Sequence, residues 1–466
     1  MNYTAFTKLL LITSLPYTLF SAPEAPAATQ KDPTATSTKK VKEKEAIKTP
    51  ETKHSNKKKI VIFFSKGGGG HLAARDCLKA LLDNEYEISK INPLQDLLGS
   101  IDPIKTLTFG KLDGEDFFNK IQTNRWIGFG NWSYKHIVPT LILSRRKTVE
   151  KKITEYLKKE QPDLLLSVIP CLNLAFANAA QACNIPFLLV TTDCDLTAFT
   201  LGLHKITHPN YAITVCKGLD LPKDQLKSRK IPDERVHAIG FVTRHDFFTS
   251  HNKETIRKEW NIPKKKFTIL LLMGGAGSYS TYQYAKKIAS MPLNVHVLVC
   301  TGRNEAIADK VRKLKCSPGV SLTVVPFTKK IADLMAVSDL FITKPGPGSV
   351  NEAIQMKLPM IVDNTSPVMF WETPNIKMVE ANGWGTSLSN FKDLEPKIKK
   401  FIDDKKYYAQ IKKNLKKAPP YTFDKKLKKI IKGLLKNQTK LAATPTKKDT
   451  TKGVAAPTEA QAKKVG

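Results

Sequence analysis

Three short segments of this 466-residue chain carry residue types able to bind and activate a substrate. The first is SKGGGGHLAA, Ser65 to Ala74. Four consecutive glycines, Gly67, Gly68, Gly69 and Gly70, let the backbone approach a ligand and aim N–H groups at anionic oxygens. His71 follows at the start of an expected helix. The positive end of the helix dipole lowers the pKa of an imidazole placed there, which keeps it neutral and able to act as a base. Capping the helix, or bonding a neighbouring loop, is the other use open to that side chain. No GK[ST] follows the glycines and the GxGxxG spacing is missing, so neither a Walker loop nor a dinucleotide fingerprint is present.

The second segment, LLLMGGAGSYS (270–280), puts Gly274, Gly275, Gly277 and Ser278 at another strand-to-helix junction. A pyrophosphate can rest there on backbone amides and the Ser278 hydroxyl, while tight helix–strand packing alone would account for two of the three glycines. The third is DLFITKPGPGSVNEAIQMKLPMIV, Asp339 to Val362. A strand is expected to end at Thr343, a Pro/Gly turn with Gly348 follows, and Ser349 is expected to cap a helix with Glu352 at the capping-box distance. Glu352 has two readings: partner of that cap, or a carboxylate holding two vicinal hydroxyls, as a ribose requires, while free amides meet phosphate. Glu372 and Asn375 follow another strand, where the hydroxyls of a sugar can be read. Arg303 and Lys344, with the helix N-termini, can supply positive potential to an anionic group.

Elements of one kind must position these loops. The runs KIVIFF, DLLLSVI (163–169), PFLLVTT (186–192), FTILLLM (267–273), VHVLVC (295–300), LTVVPF (322–327), LFIT (340–343) and PMIV (359–362) are apolar at nearly every position, and helical patterns separate most of them. That alternation predicts parallel sheets covered on both faces. A strand followed by a glycine turn occurs at 60–70 and again at 267–277, so the expectation is two doubly wound α/β domains divided near Gly240–Ser250. Residues 1–22 read as a signal-peptide-like or anchor segment, 23–58 as a Lys/Pro/Thr-rich disordered linker and 438–466 as a disordered tail. The domains are then expected at 59–245 and 246–420, with a basic amphipathic helix at 421–437. Its Leu427, Ile430, Ile431, Leu434 and Leu435 share one face, suited either to packing on the first domain or to an anionic lipid surface.

Composition narrows the class. There are 75 Lys+Arg against 42 Asp+Glu, a net charge of +33, and 41% apolar residues. No run approaches the roughly 18 apolar residues of a spanning helix, which excludes a polytopic membrane protein. Seven cysteines without a CxxC pair argue against a disulfide scaffold or zinc site and suggest buried thiols in a reducing compartment. The positive charge suits nucleic acid or an anionic membrane, but no nucleic-acid motif accompanies it, and no nucleic-acid partner is expected.

VIFFSKGGGGHLAA, SVIP, IPDERVHAIGFVTRHDFF, LLLMGG, CTGRN, VVPFTKKIADLMAVSDLFITKPGPGSVNEA and the pair Glu372/Asn375 together resemble the monogalactosyldiacylglycerol synthase and processive diacylglycerol glucosyltransferase group of glycosyltransferase family 28. The resemblance runs through roughly 58–420 in matching order. It implies a GT-B fold, two Rossmann-like domains facing a cleft, with a lipid acceptor on the N-terminal side and a UDP-sugar on the C-terminal side. It further implies inverting transfer of galactose or glucose from UDP-hexose to 1,2-diacylglycerol, with no cofactor or bound metal, by a peripheral membrane protein of the cytoplasmic face; the leader-like 1–22 points instead to export. By the same resemblance His71 is the base, and Asp193 in LVTTDCD is a second base or the group that orients the first. Gly274, Gly275, Gly348 and Ser349 cradle the pyrophosphate, Phe327 lies beside the uracil, Glu352 holds the ribose, and Glu372 and Asn375 hold the hexose. Two departures stand out: Phe370-Trp371-Glu372 replaces the group's Gly-Gln-Glu, and no histidine follows the Thr-Asp motif before His204. A lipid-linked, peptidoglycan-precursor-like acceptor, or a sugar-nucleotide or lipid binder without turnover, are the alternative functions.

Overall fold

The computed structural model describes residues 57–123, 126–217, 221–275 and 277–443. The leader-like segment 1–22, nearly all of the expected linker and residues 444–466 lie outside them. Strands β1 (Lys59–Phe63), β2 (Glu87–Ile91), β3 (Leu164–Ser167), β4 (Phe187–Val190), β5 (Tyr211–Val215) and β6 (Val236–Ala238) form one sheet, in the order β2-β1-β3-β4-β5-β6. A second sheet contains β7 (Phe267–Leu272), β8 (Val295–Gly302), β9 (Ser321–Pro326), β10 (Leu340–Thr343), β11 (Met360–Asp363) and β12 (Gly385–Leu388), ordered β12-β11-β10-β7-β8-β9. Every pairing is parallel, with Ile60 opposite Leu164 in the first sheet and Leu340 opposite Ile269 in the second.

The eight apolar runs all become strands. Helices cover both faces of each sheet, so the central strands bury every side chain: Ile60 to Phe63 and Leu340 to Ile342 have no exposed area. Strands β2, β6 and β12 carry no such run. They lie at sheet edges, where polar residues are tolerated, and β5 is a short run broken by Thr214.

Seven helices bear on the site. These are α1 (Gly70–Leu82), α2 (Gly114–Thr123), α3 (Ile127–His136), α4 (Tyr279–Ala289), α5 (Pro347–Gln355), α6 (Thr373–Ala381) and α7 (Phe423–Ala443). The crossover between sheets falls in 239–266, between the end of β6 and the start of β7. The basic helix α7 returns to the first lobe. Phe423, Leu427, Ile431, Leu434 and Leu435 join the core formed by Ile60, Ile62, Ala74, Leu78 and Leu82. Asn210 Nδ2 donates to the Leu434 carbonyl at 2.9 Å, and Lys428 and Lys432 reach Glu85 at 2.7 and 3.3 Å. Of the two uses open to its apolar face, packing is the one observed. Lys425, Lys426, Lys429 and Lys436 stay exposed on the other side. The helix also outruns its expected end at 437: no glycine or proline occurs between Asn437 and Ala443, so the expected tail begins as helix.

The cysteines are unpaired, but they are not uniformly buried as expected: Cys194, Cys216 and Cys300 are, whereas Cys316 is exposed. Among the described residues, no helix is long and apolar enough to cross a membrane.

Docking of α7 gives a direct test. Leu427→Ala or Ile431→Ala opens a cavity in a closed core and should lower the unfolding free energy by about 2–5 kcal/mol. Lys429→Ala, on the outer face, should stay within about 0.5 kcal/mol of the parent in the same urea titration.

Candidate active site

In each sheet the strand order reverses beside the first strand, between β1 and β3 and between β7 and β10. Loops leaving the carboxyl ends of such a pair diverge and open a crevice where ligands bind. The two crevices face each other across one cleft of about 2570 Å³. His71, Thr192 and Asp193 line one wall; Gly274, Gly275, Ser278, Arg303, Phe327, Lys344, Gly348, Ser349, Glu352 and Glu372 line the other.

On the first wall His71 is the second residue of α1. Its Nδ1 lies 3.2 Å from Thr192 Oγ1, and its ring also bonds the Val168 carbonyl. The pKa is lowered to about 4, chiefly because burial disfavours the imidazolium, with the Val168 bond opposing. The expected direction is right, but the dominant cause is desolvation. Asp193 does not orient His71, as one reading had it; Thr192 makes that contact. Its carboxyl is pushed up to about 8, first by burial, then by the like charges of Glu372 and Asp195, with Lys344 opposing.

The four-glycine loop needs correction as an anion cradle. The Lys66 and Gly67 N–H groups both donate to Glu115 Oε1, the latter at 3.2 Å, and Gly68 N–H donates to Asn119 Oδ1 at 3.0 Å. Glu115, on α2, is buried, accepts from Asn92 Nδ2 at 2.7 Å and has its pKa raised by desolvation. Glu115 and Asn119 of the chain itself thus take those three amides. Gly67 to Gly70 still line the cleft, and the braced loop fixes where α1, and so His71, begins.

The second wall offers the better anion site. Gly274 has φ +105°, and a Cβ on Gly275 would meet nothing within 4 Å, so the backbone lies open to the cleft. Gly277 is different: its φ is +74°, and a Cβ would sit 2.0 Å from the Thr301 carbonyl oxygen. Close loop packing explains that glycine. Helix α5 starts at Pro347 with Gly346 as N-cap and no side-chain cap, which corrects the capping box expected of Ser349 and Glu352. A proline at the first helical position sets the start two residues before Ser349. The Gly348 and Ser349 N–H groups are therefore first-turn donors with no helical acceptor, suited to phosphate oxygens.

Glu352, released from capping, stands 3.3 Å from Arg244. Burial pushes its pKa up to about 7 while Arg244 draws it down. Arg244 also donates to the Lys329 carbonyl at 3.2 Å. The Arg303 guanidinium lies 3.7 Å from the centroid of the half-exposed Phe327 ring. Lys344 Nζ is 3.3 Å from Glu372 Oε1. Asn375 is not brought to the cleft: it is fully buried, Nδ2 donates to the Pro345 carbonyl at 3.0 Å, and Oδ1 accepts from Cys194 Sγ at 3.4 Å. Its place one turn into α6 faces inward, so it supports the loops instead of touching a sugar. Sequence reasoning assigned no role to Thr192, Arg244 or Glu115. The first two sit inside motifs quoted for other reasons; Glu115 carries no local signal. No group of three or more His, Cys, Asp or Glu side chains suited to a metal ion occurs among the described residues.

Comparisons with known proteins agree with this fold. Residues 269–363 match the glycosyltransferase family 28 C-terminal domain. The processive diacylglycerol beta-glucosyltransferase of Bacillus cytotoxicus is 25% identical over 263 residues, 56% of this chain and 65% of that protein. Its namesake from Bacillus subtilis is 24% identical over 270 residues, 58% of this chain and 68% of that protein. The chain thus aligns with just under two thirds of the first relative's length. Among solved structures, Acinetobacter baumannii MurG superposes with a TM-score of 0.53 at 14% identity, covering 80% of this chain and 99% of that one. The calicheamicin glycosyltransferase CalG4 gives 0.51 at 13%, covering 82% and 99%. The S. aureus MnaA–UDP structure gives 0.52 at 14%, covering 81% and 97%. The fold is GT-B, and the chain resembles the diacylglycerol glucosyltransferase group of family 28.

Asp193 gives the site a pH signature. Its carboxyl titrates near 3.8 when unfolded and near 8 in the folded protein, so folding takes up a proton between those values. The stability it confers is complete below about pH 4 and is lost as pH rises through 8. Asp193→Asn should therefore gain melting temperature relative to the parent across that window and level off above it. Parallel melting curves at all pH values would contradict the shift.

Proposed function

We propose that this protein transfers a hexose, glucose or galactose, from UDP-hexose to the hydroxyl of 1,2-diacylglycerol, inverting the anomeric centre, at the surface of an anionic membrane on its cytoplasmic face. The observation that carries the reading is the opposition of two walls across one cleft. One offers a neutral imidazole held by Thr192, the other an unshared helix N-terminus with a glycine loop. The diphosphate rests on Gly274, Gly275, Ser278 and the first turn of α5, with Lys344 and Arg303 adding positive charge to the departing UDP. Glu352 takes the ribose hydroxyls, exchanging its contact with Arg244 for them, and the uracil lies against Phe327. Glu372 reaches the hexose. His71 removes the proton of the acceptor hydroxyl as its oxygen attacks the anomeric carbon from the face opposite UDP. The residues named need no cofactor or metal to carry these roles. The relatives' names favour diacylglycerol over a peptidoglycan-type acceptor, and the exposed lysines of α7 suit an anionic surface.

Incubation of the protein with labelled UDP-glucose or UDP-galactose and diacylglycerol in anionic vesicles should give a neutral hexolipid on chromatography. His71→Ala should form it at least roughly a hundredfold more slowly, the usual loss for a missing general base. With His71 as base, kcat/KM should fall only below about pH 5, following its pKa of about 4. An acidic limb near pH 8 would instead assign the proton to Asp193. Absence of hexolipid from either donor, with labelled sugar on another lipid, would reject the acceptor.

A further inference from the structure

The lobes also meet at a seam that none of the roles above explains. The loop 364–371 leaves β11 and leads to Glu372 at the start of α6. Asn131, on α3 of the first lobe, holds this loop with both ends of its amide. Nδ2 donates to the Val368 carbonyl and Oδ1 accepts from the Phe370 N–H, each at 3.0 Å. Beside it, a Cβ on Gly130 would lie 3.3 Å from Met369 Cε, so the α3 backbone sits directly on the loop. Trp371 closes the seam with ring centroids 6.1 Å from Phe118 and 5.1 Å from Tyr134.

The hold extends to Glu372 through the main chain. Its N–H donates to the Met369 carbonyl at 2.8 Å, which joins 369–372 in one turn with the residues Asn131 grips. On the far side Cys194, the neighbour of Asp193, donates to Asn375 at 3.4 Å. Glu372 is thus bracketed by contacts from the opposite lobe, while its carboxylate stays on the cleft wall beside Lys344.

We propose that Asn131 is a positioning residue for the donor sugar: by clamping the backbone of 368–370 across the lobes it sets the Glu372 carboxylate where it meets the hexose hydroxyls of UDP-hexose, and so tunes which hexose is accepted. The inference rests on the UDP-hexose reading. A main-chain clamp reads position and ignores the loop's side chains, which is what a carboxylate needing sub-ångström placement requires. None of its contacts reaches the nucleotide wall, Gly274, Ser349 or Glu352. UDP itself should therefore not sense it.

The test is Asn131→Leu, similar in volume and without the amide, with UDP, UDP-glucose and UDP-galactose titrated by calorimetry and kcat/KM measured for both donors. UDP should bind as in the parent. The extra affinity of the preferred UDP-hexose over UDP, and the ratio of kcat/KM between hexoses, should each drop about tenfold, the scale of one or two lost hydrogen bonds. Asn131→Asp, which keeps the acceptor for Phe370 N–H but sets a carboxylate oxygen against the Val368 carbonyl, should show the same loss of discrimination with UDP binding unchanged. Unchanged hexose discrimination in Asn131→Leu, or an equal loss for UDP and UDP-hexose, would overturn the proposal and leave Asn131 a general lobe contact. A parent protein that binds no uridine compound would instead reject the functional reading, and the inference with it.

Discussion

A parallel strand can release its following loop at only one edge of its sheet, and both sheets of this protein turn that edge toward the same gap. Everything chemical follows from this constraint. His71 comes off β1, Thr192 and Asp193 off β4, Gly274 off β7, and Lys344 off β10. No pair of these residues is near in sequence across the lobes, yet the topology brings them together without any dedicated scaffold. The reversal of strand order beside β1 and β7 adds the crevice that each loop pair needs. Helix α7 ties the end of the second lobe back onto the core of the first, which limits how far the two edges can separate.

Desolvation then decides the charge state of the gap. His71 loses its proton readily, while Asp193 and Glu352 hold theirs to about 8 and 7, so near pH 7 the acidic groups are partly silenced. Arg244, Arg303 and Lys344 remain on or beside the wall. On the second wall, Arg303, Lys344 and the open first turn of α5 favour an anionic group. The chain's excess of 75 basic over 42 acidic residues extends the same bias outward. Binding such an anion would favour protonation of its neighbours further, which couples occupancy of the second wall to the proton balance of the first.

Much of this was legible in the sequence, and the gaps have physical causes. Uninterrupted apolar runs revealed the central strands because burial on both faces leaves no polar option. Edge strands such as β2 and β12 escaped because one side faces water. The glycine loops were visible as loops, but not their use: whether Gly67 and Gly68 offer amides to a ligand depends on Glu115 and Asn119, about 50 positions away, and no local pattern foretells those partners. The capping box failed for a nearer reason. Pro347 fixes the helix start by its ring, and a Ser-x-x-Glu spacing inside the first turn then has nothing left to cap. The resemblance points Asn375, three positions after Glu372, at the hexose, whereas its side chain is buried. Spacing places a residue along a helix; only packing decides which way it turns.

The departures from the family pattern acquire a meaning at the seam. Phe370 and Trp371 stand where the resemblance implies glycine and glutamine, and a glutamine would offer the cleft a donor and an acceptor that indole cannot supply. In this chain Trp371 turns toward Phe118, Tyr134 and Phe370, 4.7 to 6.1 Å away. The two rings, Phe370 and Trp371, add apolar area at the lobe junction and stiffen the approach to Glu372. Glu372, the residue retained from the pattern, is also the one that keeps its carboxylate on the wall. The aromatic seam thus gives Glu372, whose carboxylate meets Lys344 at 3.3 Å, a more rigid mounting on the cleft wall.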